Sequence, residues 1–245
     1  MENATFVLVH GAWHGSWCYR RVVGHLNERG ARAYPLTLTG LADKSHMLSP
    51  SIGLQTHVDD VVNFVKWEGL EKVVLCGHSY GGMVITGASE VLRDRLGALV
   101  YLDAFVPEAG KSALEYTEPG TRTRLEAVAA GNGSPYLPPI SAETFLVNEN
   151  DRAWVDAQCT PQPYRTVIDP VGSTTFRDQL KTKYYVRATK WASPMMDEFA
   201  AYCRARPDWR VVNMPYGHDL MLDAPEDVAK LLLEAAAAID GVSAG

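Results

Sequence analysis

Short apolar runs rich in β-branched residues alternate along this chain with segments whose apolar positions recur every three to four residues. That is the pattern of a parallel sheet covered by helices on both faces. Residues 5–10 (Thr5-Phe6-Val7-Leu8-Val9-His10) read as a buried strand, and residues 18–29 as the helix after it, closed by Gly30. A short strand near residues 31–35 and a loop over 37–50 follow. Val58, Val61, Val62 and Val65 place a helix over 55–67, with its apolar stripe toward the sheet. Residues 72–76 and 96–103 are continuous apolar strands on either side of a helix from about residue 82 to 92. After a long break come strands at 183–187 and 209–214, a helix at 194–205, and a last helix with Val228, Leu231, Leu232 and Ala235 on one face.

The break, residues 107–176, holds eight of the chain's 14 prolines, a helical patch at 121–130, a turn-rich stretch at 131–139 and the aromatics Tyr116, Tyr136, Phe145, Trp154 and Tyr164. The bland reading is an irregular surface excursion. A long excursion in a compact domain usually serves function, and we expect a lid over a site. The chain then divides into a core, 1–106 and 177–245, and a lid, 107–176, with Trp13, Trp154 and Tyr164 expected to touch substrate.

Hydrophobic residues at 47% and charged residues at 21% of 245 are globular proportions. A net charge of -6 gives no basic excess for nucleic acid or anionic lipid, so a small-molecule substrate is the expected partner and a homodimer stays open. Met1-Glu2-Asn3-Ala4 lacks a basic secretion-signal start, and the most apolar tail stretch, 231–239, is broken by Glu234. Cys18, Cys76, Cys159 and Cys203 lack zinc-site spacing, so reduced thiols in a cytoplasm, no disulfides, no metal and no cofactor are expected.

The chemistry starts at Gly77-His78-Ser79-Tyr80-Gly81, a G-x-S-x-G pattern directly after a buried strand and directly before a helix. Such a turn lifts the serine above the sheet, and its crowded backbone needs glycines on both sides. The N–H of Tyr80 and the helix dipole point where an oxyanion would form, and Ala12, in the loop after the first strand, is the expected second donor. Serine needs a base, and His218, a short turn after strand 209–214, reaches the same sheet edge. His10, His14 and His78 read as supports by hydrogen bonding, whereas His25 and His57 lie on helices and His46 in a polar loop.

Through residues 6–15, Gly77-His78-Ser79-Tyr80-Gly81-Gly82 and Gly217-His218, the chain resembles the α/β-hydrolase superfamily, and within it the small esterase and hydroxynitrile lyase group. The resemblance implies an α/β-hydrolase fold, a mainly parallel sheet flanked by helices with a lid insertion, and a Ser-His-Asp triad. Members of that group usually carry the acid in the loop equivalent to 188–194, which here holds no carboxylate. Asp103, at the end of the strand beside the nucleophile's, is the expected replacement, with Asp197 and Asp223 as runners-up. The group's lyases carry Thr and Lys where this chain has Gly11 and Asp219, so hydrolysis of a small, mostly apolar carboxylic ester, carbamate or amide is favoured. The competing readings are a non-catalytic or slow-turnover small-ligand receptor of the same fold and a cofactor-free oxygenase or hydroxynitrile lyase.

Overall fold

The computed structural model describes residues 4–117, 119–131, 135–239 and 241. Its main sheet holds β1 (Thr5–Val9), β2 (Arg32–Leu36), β3 (Val73–His78), β4 (Leu96–Leu102), β7 (Lys183–Ala188) and β8 (Trp209–Met214), in the order β2-β1-β3-β4-β7-β8. All five strand pairings are parallel, so the sheet, expected to be mainly parallel, has no antiparallel member among the described residues. β5 (Tyr136–Leu137) and β6 (Gln162–Pro163) form a separate two-stranded ladder between β4 and β7.

Alternation along each strand divides the core in two. Val7, Val9, Leu75, Leu99 and Tyr101 face one side of the sheet, where helices α2 (Leu54–Trp67), α3 (Gly81–Leu92) and α9 (Pro194–Arg204) cover them. Phe6, Leu8, Val74, Cys76, Val100 and Leu102 face the other, under α1 (Arg20–Asn27) and α11 (Pro225–Ile239). Both faces being covered, β1 and β3 are buried throughout, which is why they read as unbroken apolar runs. Pro35 sits in β2, an edge strand, where its missing N–H leaves no gap in a central ladder. The helix expected over 18–29 begins as a 3₁₀ turn, Ser16–Tyr19, before α1, and Gly30 closes it at φ 73°.

The connection from β4 to β7 carries α4 (Ala113–Tyr116), α5 (Pro119–Gly131), β5, α6 (Glu149–Gln158), β6, α7 (Arg165–Ile168) and α8 (Thr175–Gln179). α6 gave no periodic signal in the sequence; Asn148 starts it by accepting from the Asp151 N–H at 3.2 Å. α10 (Leu220–Asp223) links β8 to α11. No helix among the described residues is long and apolar enough to cross a membrane. All four thiols are free.

β1 pairs with β2 on one side and β3 on the other, so successive connections leave it in opposite directions. In open parallel sheets that switch point opens a crevice at the carboxyl ends of the strands. The register Val9↔Gly77 and His78↔Leu102 brings the residues after β1, β3 and β4 out there together. α3 starts against the chain leaving β4: a Cβ on Gly82 would stand 2.1 Å from the Phe105 carbonyl oxygen. Gly82→Ala should therefore lower unfolding free energy by roughly 1–3 kcal/mol or more, measured by urea denaturation.

Candidate active site

Gly77-His78-Ser79-Tyr80-Gly81 spans the junction of β3 and α3, and Ser79 stands at φ 51°. An L-residue keeps that left-handed conformation only where its surroundings over-determine it. Here the Ser79 N–H donates to Leu102 O at 3.3 Å, and the Ser79 carbonyl accepts from Phe105 N–H at 3.1 Å and Gly82 N–H at 3.0 Å. The flanking glycines are required by contact. A Cβ on Gly77 would lie 2.6 Å from Gly81 O, and one on Gly81 2.8 Å from the carbonyls of both Val9 and His10.

Asp103 follows β4, at φ 44°, with no exposed surface. Its Oδ2 accepts from His218 Nδ1 at 2.7 Å. Its Oδ1 accepts from Ala188 N–H at 3.0 Å and Arg187 Nη1 at 3.1 Å. A buried carboxylate is thus met by three donors, one of them cationic. With Nδ1 donating to Asp103, the lone pair of His218 is on Nε2. The ring lies among Trp191, Phe145 and His78, at centroid separations of 4.3, 5.1 and 4.6 Å, and the His218 N–H donates to Phe145 O at 2.9 Å.

Ser79 and His218 border one cavity of about 400 Å³, together with Ala12, Trp13 and Tyr80. Leu114, Leu125, Leu137, Ile140, Phe145 and Val167 line it from the β4–β7 connection, and Trp191, Met195 and Met196 from the start of α9 and the loop before it. No Asp, Glu, Lys or Arg borders it among the described residues. Loop 188–194, empty of carboxylates, supplies an aromatic wall instead.

Two of the three expected substrate contacts are corrected. Trp154 packs edge-on against Trp17 at 5.0 Å, because the buried side of α6 docks on the core through Asp151 and Arg21, whose Nη2–Oδ1 contact is 2.7 Å. Tyr164 precedes α7 and its N–H donates to Pro135 O at 2.8 Å; Val167, one turn later, reaches the cavity in its place. Trp13 does line the cavity, at φ 65°, and also ties it to the connection above. Its N–H donates to Gln162 Oε1 at 3.1 Å and its ring Nε1–H to Leu137 O at 3.2 Å. Of the runners-up, Asp197 accepts from Arg187 Nε at 2.8 Å, and Asp223 Oδ1 accepts from the Asn148 N–H at 3.0 Å and Nδ2 at 2.9 Å, so neither replaces Asp103 on His218.

The remaining buried histidines are committed within the protein. His10 donates from Nδ1 to Gly11 O (2.7 Å) and accepts at Nε2 from Leu38 N–H (3.1 Å). His57, expected only to lie on a helix, is buried between Thr39 O (2.9 Å) and the Tyr80 hydroxyl (3.1 Å). His78 donates from Nε2 to His218 O at 3.1 Å. His14 bridges Ala12 O (2.8 Å) and Asp219 Oδ2 (3.2 Å). His78, His218 and Asp219 each offer one donor atom, all within 4.8 Å of one another, the metal-type cluster found among the described residues. His78 Nε2, His218 Nδ1 and Asp219 Oδ2 already bond within the protein.

The model of the alpha/beta hydrolase family matches residues 6–231. The chain belongs to that family. A carbendazim hydrolyzing esterase of Nocardioides sp. is 38% identical over 237 residues, covering 94% of this hydrolase and 98% of the relative. An extracellular alpha/beta-hydrolase from a Paenibacillus species, described as sharing homology with tobacco salicylic acid binding protein 2, superposes with a TM-score of 0.82 at 21% identity, covering 95% and 98% of the two chains. A pyrethroid hydrolase from Sphingobium faniae does so with 0.74 at 19%, covering 98% and 100%.

Two site residues of this alpha/beta hydrolase carried no role in the sequence reading. Arg187 was legible only as a charge ending an apolar strand, and Asp219 only as a residue that is not lysine. Burial shifts the surrounding histidines. It lowers His10 to about 3 and His57 to about 4. Burial, with His218 beside it, also holds His78 well below its ordinary range. Burial opposes charging of His14 as well, but Asp219 outweighs it and raises the His14 pKa. His10, His57 and His78 stay neutral in the folded state where an unfolded chain, titrating near 6.5, takes up protons. Stability should therefore fall below pH 6.5, by about 1.4 kcal/mol per pH unit per histidine. Urea denaturation between pH 6.5 and 5 checks this; a flat free energy would contradict it.

Proposed function

We propose that the chain is a serine hydrolase that cleaves small, neutral, mostly apolar carboxylic esters or carbamates through an acyl-enzyme. The observation that carries this reading is the 2.7 Å bond between Asp103 and His218, whose ring borders the same cavity as Ser79, lined among the described residues by no Asp, Glu, Lys or Arg. The 38% identical relative, named a carbendazim hydrolyzing esterase, supports it.

In this mechanism Ser79 Oγ attacks the substrate carbonyl carbon while His218 Nε2 takes its proton. The N–H groups of Ala12 and Tyr80 hold the oxyanion; Tyr80 directly precedes α3, where first-turn amides lack partners within the helix. Collapse of the tetrahedral intermediate breaks the bond to the leaving group, which receives the proton from His218. Water, deprotonated by the same ring, then frees the acid or carbamic acid and restores Ser79. Asp103 keeps the Nδ1–H tautomer and stabilises the imidazolium. The β4–β7 connection acts as a lid whose Leu114, Leu125, Ile140, Phe145 and Val167 select the acyl and leaving groups.

Fluorophosphonate should label Ser79, and Ser79→Ala should abolish burst and turnover with the fold intact; mass-spectrometric labelling elsewhere would sink the assignment. Asp103→Asn should lower kcat by up to about 10⁴-fold by favouring the wrong tautomer. A receptor of this fold would bind without turnover, and an oxygenase would consume O₂.

A lining without Asp, Glu, Lys or Arg among the described residues should also discriminate. Between p-nitrophenyl butyrate and p-nitrophenyl hemisuccinate, kcat/KM should favour the neutral ester by about 10–100-fold, because a carboxylate would lose its water without gaining a partner. Equal rates would place the acyl chain outside this cavity.

A further inference from the structure

Behind His218 lies a second carboxylate that the triad does not use. Asp219 has no exposed surface. Its Oδ2 pairs with His14 Nε2 at 3.2 Å, while its Oδ1 has no hydrogen-bond partner and lies 3.5 Å from His78 Nε2. A carboxylate oxygen of Asp219 and ring nitrogens of His78 and His218 fall within 4.8 Å of one another. A buried anionic oxygen without a donor is costly and calls for a role.

We propose that Asp219 is a positioning residue for His218: held by His14 through one oxygen, it presents the other to the paired rings of His78 and His218. The His78 Nε2–H, drawn to that side, donates to His218 O and steadies the backbone of the base. The unpaired negative oxygen favours the imidazolium that forms when His218 takes the proton of Ser79. The role rests on the hydrolase reading above.

The charged and titratable groups around His218 are Asp103 after β4, His78 at the end of β3 and Asp219 in its own turn. Arg187 of β7 stands behind Asp103, and His14 of the loop after β1 stands behind Asp219. Cys18 and Tyr19 of the 3₁₀ turn and Cys159 after α6 also feel the Asp219 charge. The arrangement is a dipole with its negative end toward His218 and its positive end on His14, so removing the two ends must act in opposite directions.

The acid limb of kcat/KM against pH reports deprotonation of His218 in the free enzyme. Asp219→Asn should move it down by roughly half to one pH unit and lower kcat about three- to tenfold, with KM nearly unchanged. His14→Gln should move the same limb up. Loosened packing alone would not give shifts of opposite sign, so limbs that stay put or move together overturn the proposal. Should Asp219→Asn fail to fold, the NMR titration of His14 in the unmodified protein decides: it should titrate above 6.5, and a neutral His14 at pH 6 overturns the pairing. The His218 Cε1–H signal separates this proposal from the hydrolase reading. If Ser79 is not the nucleophile, labelling fails but the opposite shifts of His218 persist. If Asp219 plays no part, labelling and turnover persist with an unshifted limb.

Discussion

A carboxylate removed from water is tolerated only where donors surround it, and much of the sheet edge is arranged around one such group. Asp103 takes three donors from two places: a backbone N–H and a guanidinium at the end of β7, and an imidazole from the turn after β8. Its own N–H donates to Val186 O at 2.7 Å, continuing the ladder between β4 and β7. Arg187 is held in turn by Asp197 and by the carbonyls of Ala188 and Trp191, at 2.8, 2.6 and 2.9 Å. The loop that lacks an acid therefore still serves one, by fixing the cation beside it.

The same edge joins core to cavity. Gly217 has no room for a side chain, since a Cβ there would meet Leu146 O at 2.4 Å, and the next residue, His218, bonds Phe145 O. Trp13 bonds across to Gln162 and Leu137. The loop carrying Ala12 and the turn carrying His218 are thus each tied to the residues that roof the cavity.

What the sequence revealed followed from constraints acting over a few residues. Strands covered on both faces must be apolar runs, and the turn at Ser79 admits only glycine at 77 and 81, so both were readable without a structure. Asp103 was readable by joining an empty loop to a strand end. Trp154 and Tyr164 misled because an aromatic in a proline-rich insertion fills core and cavity equally well, and the short helices α6 and α7 do not reveal their partners. Arg187 reads in the sequence only as a charge ending an apolar strand; the pairing Leu102↔Val186 is what sets it beside Asp103. Asp219 depends on His14, 205 residues earlier, a pairing no local pattern records.

β4 and β7 are neighbours and parallel, so chain leaving the carboxyl end of one must cross to the amino end of the other whatever the enzyme does. A crossover needs only a dozen or so residues. The rest of that connection is surplus to the sheet and rests on its carboxyl edge, anchored beside His218 at the Phe145-Leu146 strip. Changes in that surplus away from Phe145 and Leu146 leave in place the backbone bond that holds His218. The part of the cavity lining that comes from this connection is thus freer to vary than the strands beneath it, except at Phe145 and Leu146, against which the turn carrying His218 is set.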